Sequence, residues 1–150
     1  MINLMASRLI DRPIEWVFDF VSSPENDFQW QYGTLAAARI HKRSGVIQTF
    51  FRSIGHLMGR RNLSTFEVTD YVPHEKYGFK SLSGPVYSKT SYILENVSGR
   101  TRIHIFIQAS APHFFRVTEK LLETTMKKQL EENVDVLRTI LESEPIDFPE

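Results

Sequence analysis

At 150 residues, 41% hydrophobic and 24% charged, the chain can enclose one hydrophobic core and is excluded from the disordered class, so one domain spanning residues 1–150 is expected. Eighteen basic residues balance eighteen acidic ones, which removes the net positive charge that nucleic-acid binding usually needs. The absence of cysteine excludes disulfides, thiol nucleophiles and thiolate zinc sites, and points to a reducing, cytoplasmic setting.

The opening segment MINLMASRLIDRP is broken by Asp11, Arg12 and Pro13 too early for a signal peptide, and no apolar run approaches ~18 residues, so no membrane span is expected. NLMASRLI reads as a short strand. Pro13 then suits a first helical turn, and Ile14, Val17, Phe18 and Val21 recur as the apolar stripe of a short amphipathic helix ending near Ser22. Ser22, Ser23 and Pro24, with Glu25 three residues after Ser22, resemble a capping box and predict a second short helix to about Gln31, closed by Gly33.

From Thr34 to Ser110 turn signals recur every ~8 to 15 residues. They fall at Ser44-Gly45, Gly55 to Gly59, Pro73 to Glu75, Ser83 to Pro85 and Asn96 to Gly99. Six strand-like runs lie between them, the clearest at Arg102 to Ala109, where Ile103, Ile105, Ile107 and Ala109 alternate with Arg102, His104, Phe106 and Gln108. Connections this short join antiparallel neighbours, so six antiparallel strands plus the amino-terminal one are expected.

Pro112 opens the last element, and from Phe114 to about Ser143 there is neither glycine nor proline, which predicts one long helix. Phe115, Leu122, Met126, Leu130, Leu137, Ile140 and Leu141 gather on one face. Glu123 with Lys127 and Lys128 with Glu132 suit ion pairs on the wet one. A helix of about 28 residues reaches ~42 Å, enough to lie across a curved sheet. Gln129 and Asn133 interrupt the apolar stripe, and a dry core would rarely hold them there.

Three segments carry a family resemblance: RPIEWVFDFVSSPENDFQW, TFEVTDYVPHEKYGFKSLSGP and SYILENVSGRTRIHIFI. With the final helix they make the chain resemble the helix-grip superfamily of START-like domains, polyketide cyclases and the major birch-pollen allergen. The resemblance implies an α+β helix-grip fold: a seven-stranded antiparallel sheet curved around a long C-terminal helix, with two short helices after the first strand. It also implies an internal cavity for a small ligand, in a lineage that includes transporters, sensors and cyclases.

Tyr77, Phe79 and Ser81 on one strand, and Ser88, Thr90, Tyr92 and Leu94 on the next, mix hydroxyl and apolar groups on one face, as a cavity wall would. The period alone leaves open whether that face is inward or wet. By analogy with the family's cavity, Phe28, Trp30, Phe66 and Ile105 join the ligand-binding set, as do Met126, Gln129 and Asn133 from the helix. The expected function is binding or transport of a hydrophobic small molecule. The alternative is a cyclase or dehydratase using Glu67 or Asp70 as base and Tyr71 or Tyr92 as acid.

The five histidines, at 41, 56, 74, 104 and 113, fall on different elements with no H-x-x-x-H spacing, so neither a metal nor another cofactor is expected. His104 should stand on the strand face opposite Ile103 and Ile105. Arg39, His41, Lys42, Arg43, Arg52, Arg60 and Arg61 form a locally basic stretch with Phe50 and Phe51 interleaved. Single-stranded nucleic acid, an anionic headgroup or ligand, and plain solvated hairpin ends could each account for it, and the last is the expectation. No nucleic-acid partner is expected, and the sequence does not specify an oligomeric state.

Overall fold

The alternation at Arg102 to Ala109 is the strand here called β7 (Arg100–Ser110), with Thr101, Ile103, Ile105 and Ala109 buried and Arg102, His104 and Phe106 on the other face. The computed structural model describes residues 1–40, 49–110 and 118–143. The other strands are β1 (Ile2–Ile10), β2 (Thr34–Arg39), β3 (Phe50–Leu57), β4 (Arg60–Val72), β5 (Lys76–Ser83) and β6 (Tyr87–Val97). They form one antiparallel sheet in the order β1-β7-β6-β5-β4-β3-β2, so each hairpin neighbour pairs with the next and the first strand closes against the last. Register irregularities in β4 between Thr65 and Phe66 and between Val68 and Asp70 bend this 13-residue strand and help curl the sheet.

The first helix, α1 (Ile14–Val21), buries Val17, Phe18 and Val21, the stripe read from the sequence. Phe18 meets the Tyr71 and His74 rings edge-on at 5.4 and 5.8 Å, which closes one end of the curl. The second helix is shorter than its cap signals suggest: a 3-10 turn (Pro24–Asn26) followed by one α turn, α2 (Asp27–Trp30). The capping box does not form. Glu25 Oε2 instead accepts from Arg39 N at 2.8 Å, and Ser23 Oγ donates back to the Asp19 carbonyl at 2.9 Å. Both side chains are thus used outside the turn they were expected to cap.

The long helix α3 (Glu119–Glu142) starts later than predicted, because Thr118 is extended and caps it, its Oγ1 accepting from Leu121 N at 3.1 Å. Phe114 and Phe115 lie outside the described residues, as do Ser44-Gly45 and His113. Leu122, Leu130, Val134 and Leu137 are buried, with Met126, Ile140 and Leu141 half-buried beside them. Its 24 residues rise ~36 Å, and the helix packs most closely along β1. Among the described residues no helix is long and apolar enough to cross a membrane.

Arg8 holds that packing. The inward residues of β1 are Ile2, Leu4, Ala6 and Ile10, so Arg8 occupies an inward register position with a cation. Its Nε donates to Asp135 at 2.8 Å and its Nη2 to Glu131 at 2.6 Å, both on α3. The expected pairs Glu123–Lys127 and Lys128–Glu132 do not close into ion pairs; the helix spends other acids on the sheet instead. Arg8→Ala should lower stability by about 1 kcal/mol, since the partners are partly exposed. The Arg8 guanidinium holds Asp135 below its ordinary value of 3.8. Its stabilisation is present above that value and is lost as the pH falls through the lowered one. Urea melts of the variant should therefore show a shallower decline below pH 4 than the parent; equal slopes would show that the pair contributes nothing.

Candidate functional site

Between the inner face of the sheet and α3 lies a cavity of about 240 Å³, well beyond the ~10–15 Å³ that a single water needs. Phe66, Phe79, Thr90, Tyr92 and Ile105 line it from the sheet. Trp30 lines it from α2, and Met126, Gln129 and Asn133 from α3. The mixed-polarity face of β5 and β6 is therefore the inner one. Its aromatic rings support one another: Phe51 stacks on Phe66 at 5.0 Å, and Phe79 meets Phe51, Phe66 and Tyr92 edge-on at 5.3 to 5.8 Å.

Four residues expected in the wall are not there, and one of them, Leu94, is buried in the core instead. Phe28 stands on the outer side of α2 and is 55% exposed, because one helical turn cannot bury both Phe28 and Trp30. Tyr77 is buried one step further toward α1, its ring against Tyr71 and Tyr92, and faces a separate cleft beside Pro24, Glu25 and Arg39. Ser81 accepts a hydrogen bond from Ser88 N at 2.8 Å. It pins β5 to β6 just past their last paired residues, Lys80 and Lys89.

Several lining residues carry no signal that singles them out in the sequence. Ser53 and Gly55 follow Phe51 at period 2, and Asn62 and Ser64 precede Phe66 in the same way. The alternation rule finds them once Phe51 and Phe66 are known to face inward. Gly55 lies within β3 and is not part of the following turn. His56, Leu57, Pro85 and Val86 contribute from the ends of the β3–β4 and β5–β6 hairpins.

The site is polar in an orderly way. Thr34 Oγ1 donates to Gln31 Oε1, and Gln31 Nε2 donates to the Tyr92 hydroxyl, each at 3.3 Å. Asn133 Oδ1 accepts from Tyr32 N at 3.0 Å, which ties α3 to the loop after α2 while the rest of the amide faces the cavity. Trp30 Nε1 is fully buried with no hydrogen-bond partner among the described residues. The lining holds no Asp, Glu, Lys or Arg among those residues, and only His56 and Tyr92 can titrate there. Burial pushes the Tyr92 phenol well above 10, with the neighbouring Asp27 charge adding to it, so the hydroxyl stays protonated.

Asp27 itself is 7% exposed and hydrogen-bonded through no side-chain oxygen among the described residues. Burial, with a smaller push from Glu25, raises its carboxyl well above 3.8. An acid with a raised folded value favours folding where it is protonated and loses that contribution as the pH rises through the raised value. Asp27→Asn should thus add about 1–2 kcal/mol at neutral pH by removing a carboxylate that must be held away from water. The melting temperature should rise by ~4 °C, with little gain near pH 4. A loss of stability at pH 7 would contradict this.

Of the candidate catalytic groups only Tyr92 lines the cavity, and the others lie elsewhere. Glu67 sits opposite Lys80 on the outer face, and Asp70 pairs there with Lys76 at 3.6 Å. Tyr71 is largely exposed. His104 is also on the outer face, bonded through Nδ1 to Ser7 Oγ at 2.7 Å and through Nε2 to Glu95 at 2.5 Å. Within the basic stretch Arg39 is tied to Glu25 and Ser23, while His41, Lys42 and Arg43 lie outside the described residues.

Several solved structures share this architecture. A START superfamily protein from Mycobacterium smegmatis is 11% identical, with 93% of this chain and 97% of that one covered at a TM-score of 0.80. A protein from Thermus thermophilus is 17% identical, with coverages of 93% and 96% and a TM-score of 0.77. The Zhui aromatase/cyclase of Streptomyces sp. R1128 is 12% identical, with 93% of each chain covered and a TM-score of 0.70. At these identities the likeness is one of fold. No curated protein sequence matches the chain. The profile of the family described as polyketide cyclase/dehydrase and lipid transport, however, matches residues 1–142, and the chain belongs to that family.

Proposed function

We propose that the protein binds and carries a hydrophobic small molecule in the cavity between the sheet and α3, as one domain in a cytoplasmic setting. The observation that carries this is the wall itself: stacked aromatic and aliphatic side chains interrupted by a few neutral polar groups, the usual make-up of a small-molecule pocket. The ligand-binding residues in this reading are Trp30, Phe66, Phe79, Thr90, Tyr92 and Ile105, with Met126, Gln129 and Asn133 from α3. A cyclase or dehydratase would need an acid and a base facing the ligand; Tyr92 stands where the acid would be, but Glu67 and Asp70, the bases expected for it, stand on the outer face of the sheet. The reading predicts saturable, one-to-one binding of the neutral fluorophore N-phenyl-1-naphthylamine, unchanged by a chelator and blocked by Met126→Trp in a variant that still melts cooperatively. No saturable signal from the parent protein, or equal binding by the blocked variant, would refute it.

A further inference from the structure

The hydrogen bonds around Tyr92 run in one direction. Thr34 donates to Gln31, Gln31 donates to the Tyr92 oxygen, and among the described residues nothing accepts the Tyr92 hydroxyl proton. All three side chains line the cavity. Tyr92 is only 2% exposed, so water outside the fold cannot serve as the acceptor, and a buried donor left unused is costly. Two positions along the same inward face of β6, Thr90 is also buried, and its side chain makes no hydrogen bond within the described fold. The indole N–H of Trp30, in the adjoining wall, is a further donor without a partner. The wall around Tyr92 therefore offers neutral donors and no charged group among the described residues.

Charge narrows the choice of what could meet them. A carboxylate or phosphate brought to Tyr92 would give up its hydration with no Lys or Arg among the described lining residues, His56 at the end of the β3–β4 hairpin being the one side chain there able to carry a positive charge, and an ammonium would find no acid there. A carbonyl oxygen needs only a donor, and a protonated phenol supplies one at little desolvation cost.

We propose that the ligand presents an uncharged carbonyl oxygen to the Tyr92 hydroxyl, with Gln31 and Thr34 positioning that hydroxyl, so that the cargo is a neutral aryl or alkyl ketone or aldehyde. This rests on the cavity-binding reading above and adds a polar anchor and a ligand class to it.

Three probes of matched shape test the inference: 2-acetylnaphthalene, 2-ethylnaphthalene and 2-naphthoate. The parent protein should bind the ketone roughly threefold to tenfold more tightly than the hydrocarbon, the range of one net hydrogen bond, and the carboxylate most weakly. Tyr92→Phe keeps the ring and removes the donor. It should abolish the ketone's advantage over 2-ethylnaphthalene when both are measured on that variant, and the carbonyl stretch of bound 2-acetylnaphthalene should move to higher frequency. A ketone preference that survives in Tyr92→Phe, no preference in the parent, or tightest binding of 2-naphthoate would overturn the anchor while leaving cavity binding intact. Failure of all three probes and of N-phenyl-1-naphthylamine would overturn both.

Discussion

Phe79→Ala is expected to cost about 3 kcal/mol of stability and, in the same variant, to widen the range of ligands bound. The ring is 9% exposed and stands where the packed aromatic core becomes the cavity wall, with Phe51, Phe66, Tyr77 and Tyr92 all within 5.3 to 5.8 Å of its centroid. Truncating a buried phenylalanine forfeits its transfer energy and leaves a void that neighbours fill only in part, costing ~3–5 kcal/mol. The lower end applies because one side already faces a cavity. The void joins the existing space, so a ligand one ring larger than the parent accepts should bind the variant. Urea midpoints with and without that ligand measure both effects, since bound ligand stabilises in proportion to the logarithm of its concentration. A loss below about 1 kcal/mol would show that Phe79 is not part of the core.

Gly55→Ala should be nearly as damaging for a different reason. Gly33, in the loop leading into β2, crosses β3 so closely that a Cβ on Gly55 would sit 2.4 Å from the Gly33 carbonyl oxygen. That same oxygen accepts from His56 N at 2.8 Å, so it cannot retreat without breaking the bond that positions it. One methyl group therefore forces a backbone shift, at about 2–4 kcal/mol. The shift falls where Gly33 and Gly55 both line the cavity. Ligand affinity should drop with stability, and a variant as stable as the parent would place the crossing further apart than described.

The two glycines also show where sequence reading stops. Gly55 looks like a turn residue, because glycine suits both a reversal and a close backbone crossing, and only the partner strand tells them apart. Periodicity succeeds where one face is plainly wet: β7 and α1 are as read, and the hairpin spacing leads to the antiparallel order. Local cap signals mislead at Ser22 to Glu25, where Arg39, fourteen residues on, competes for Glu25. In the site, alternation picks out Thr90 and Tyr92, and the two amides on α3 are visible as interruptions of an apolar stripe. Phe28, put in the wall by analogy with the family alone, stands on the outer side of α2, and a helix of one turn offers no period of its own to check such an analogy. Gln31 and Thr34 carry no pattern of their own, and their part emerges only from the hydrogen bonds that converge on Tyr92.

The most direct test of ligand capture in this cavity is an NMR measurement of where N-phenyl-1-naphthylamine sits. With the methionine and isoleucine methyls and the indole N–H groups resolved, the bound probe should give intermolecular NOEs to Met126 and Ile105 and should shift the Trp30 indole resonance, leaving Trp16 unmoved. NOEs confined to the exposed Phe28, Trp16 or Tyr32, or none at a saturating probe concentration, would contradict the account.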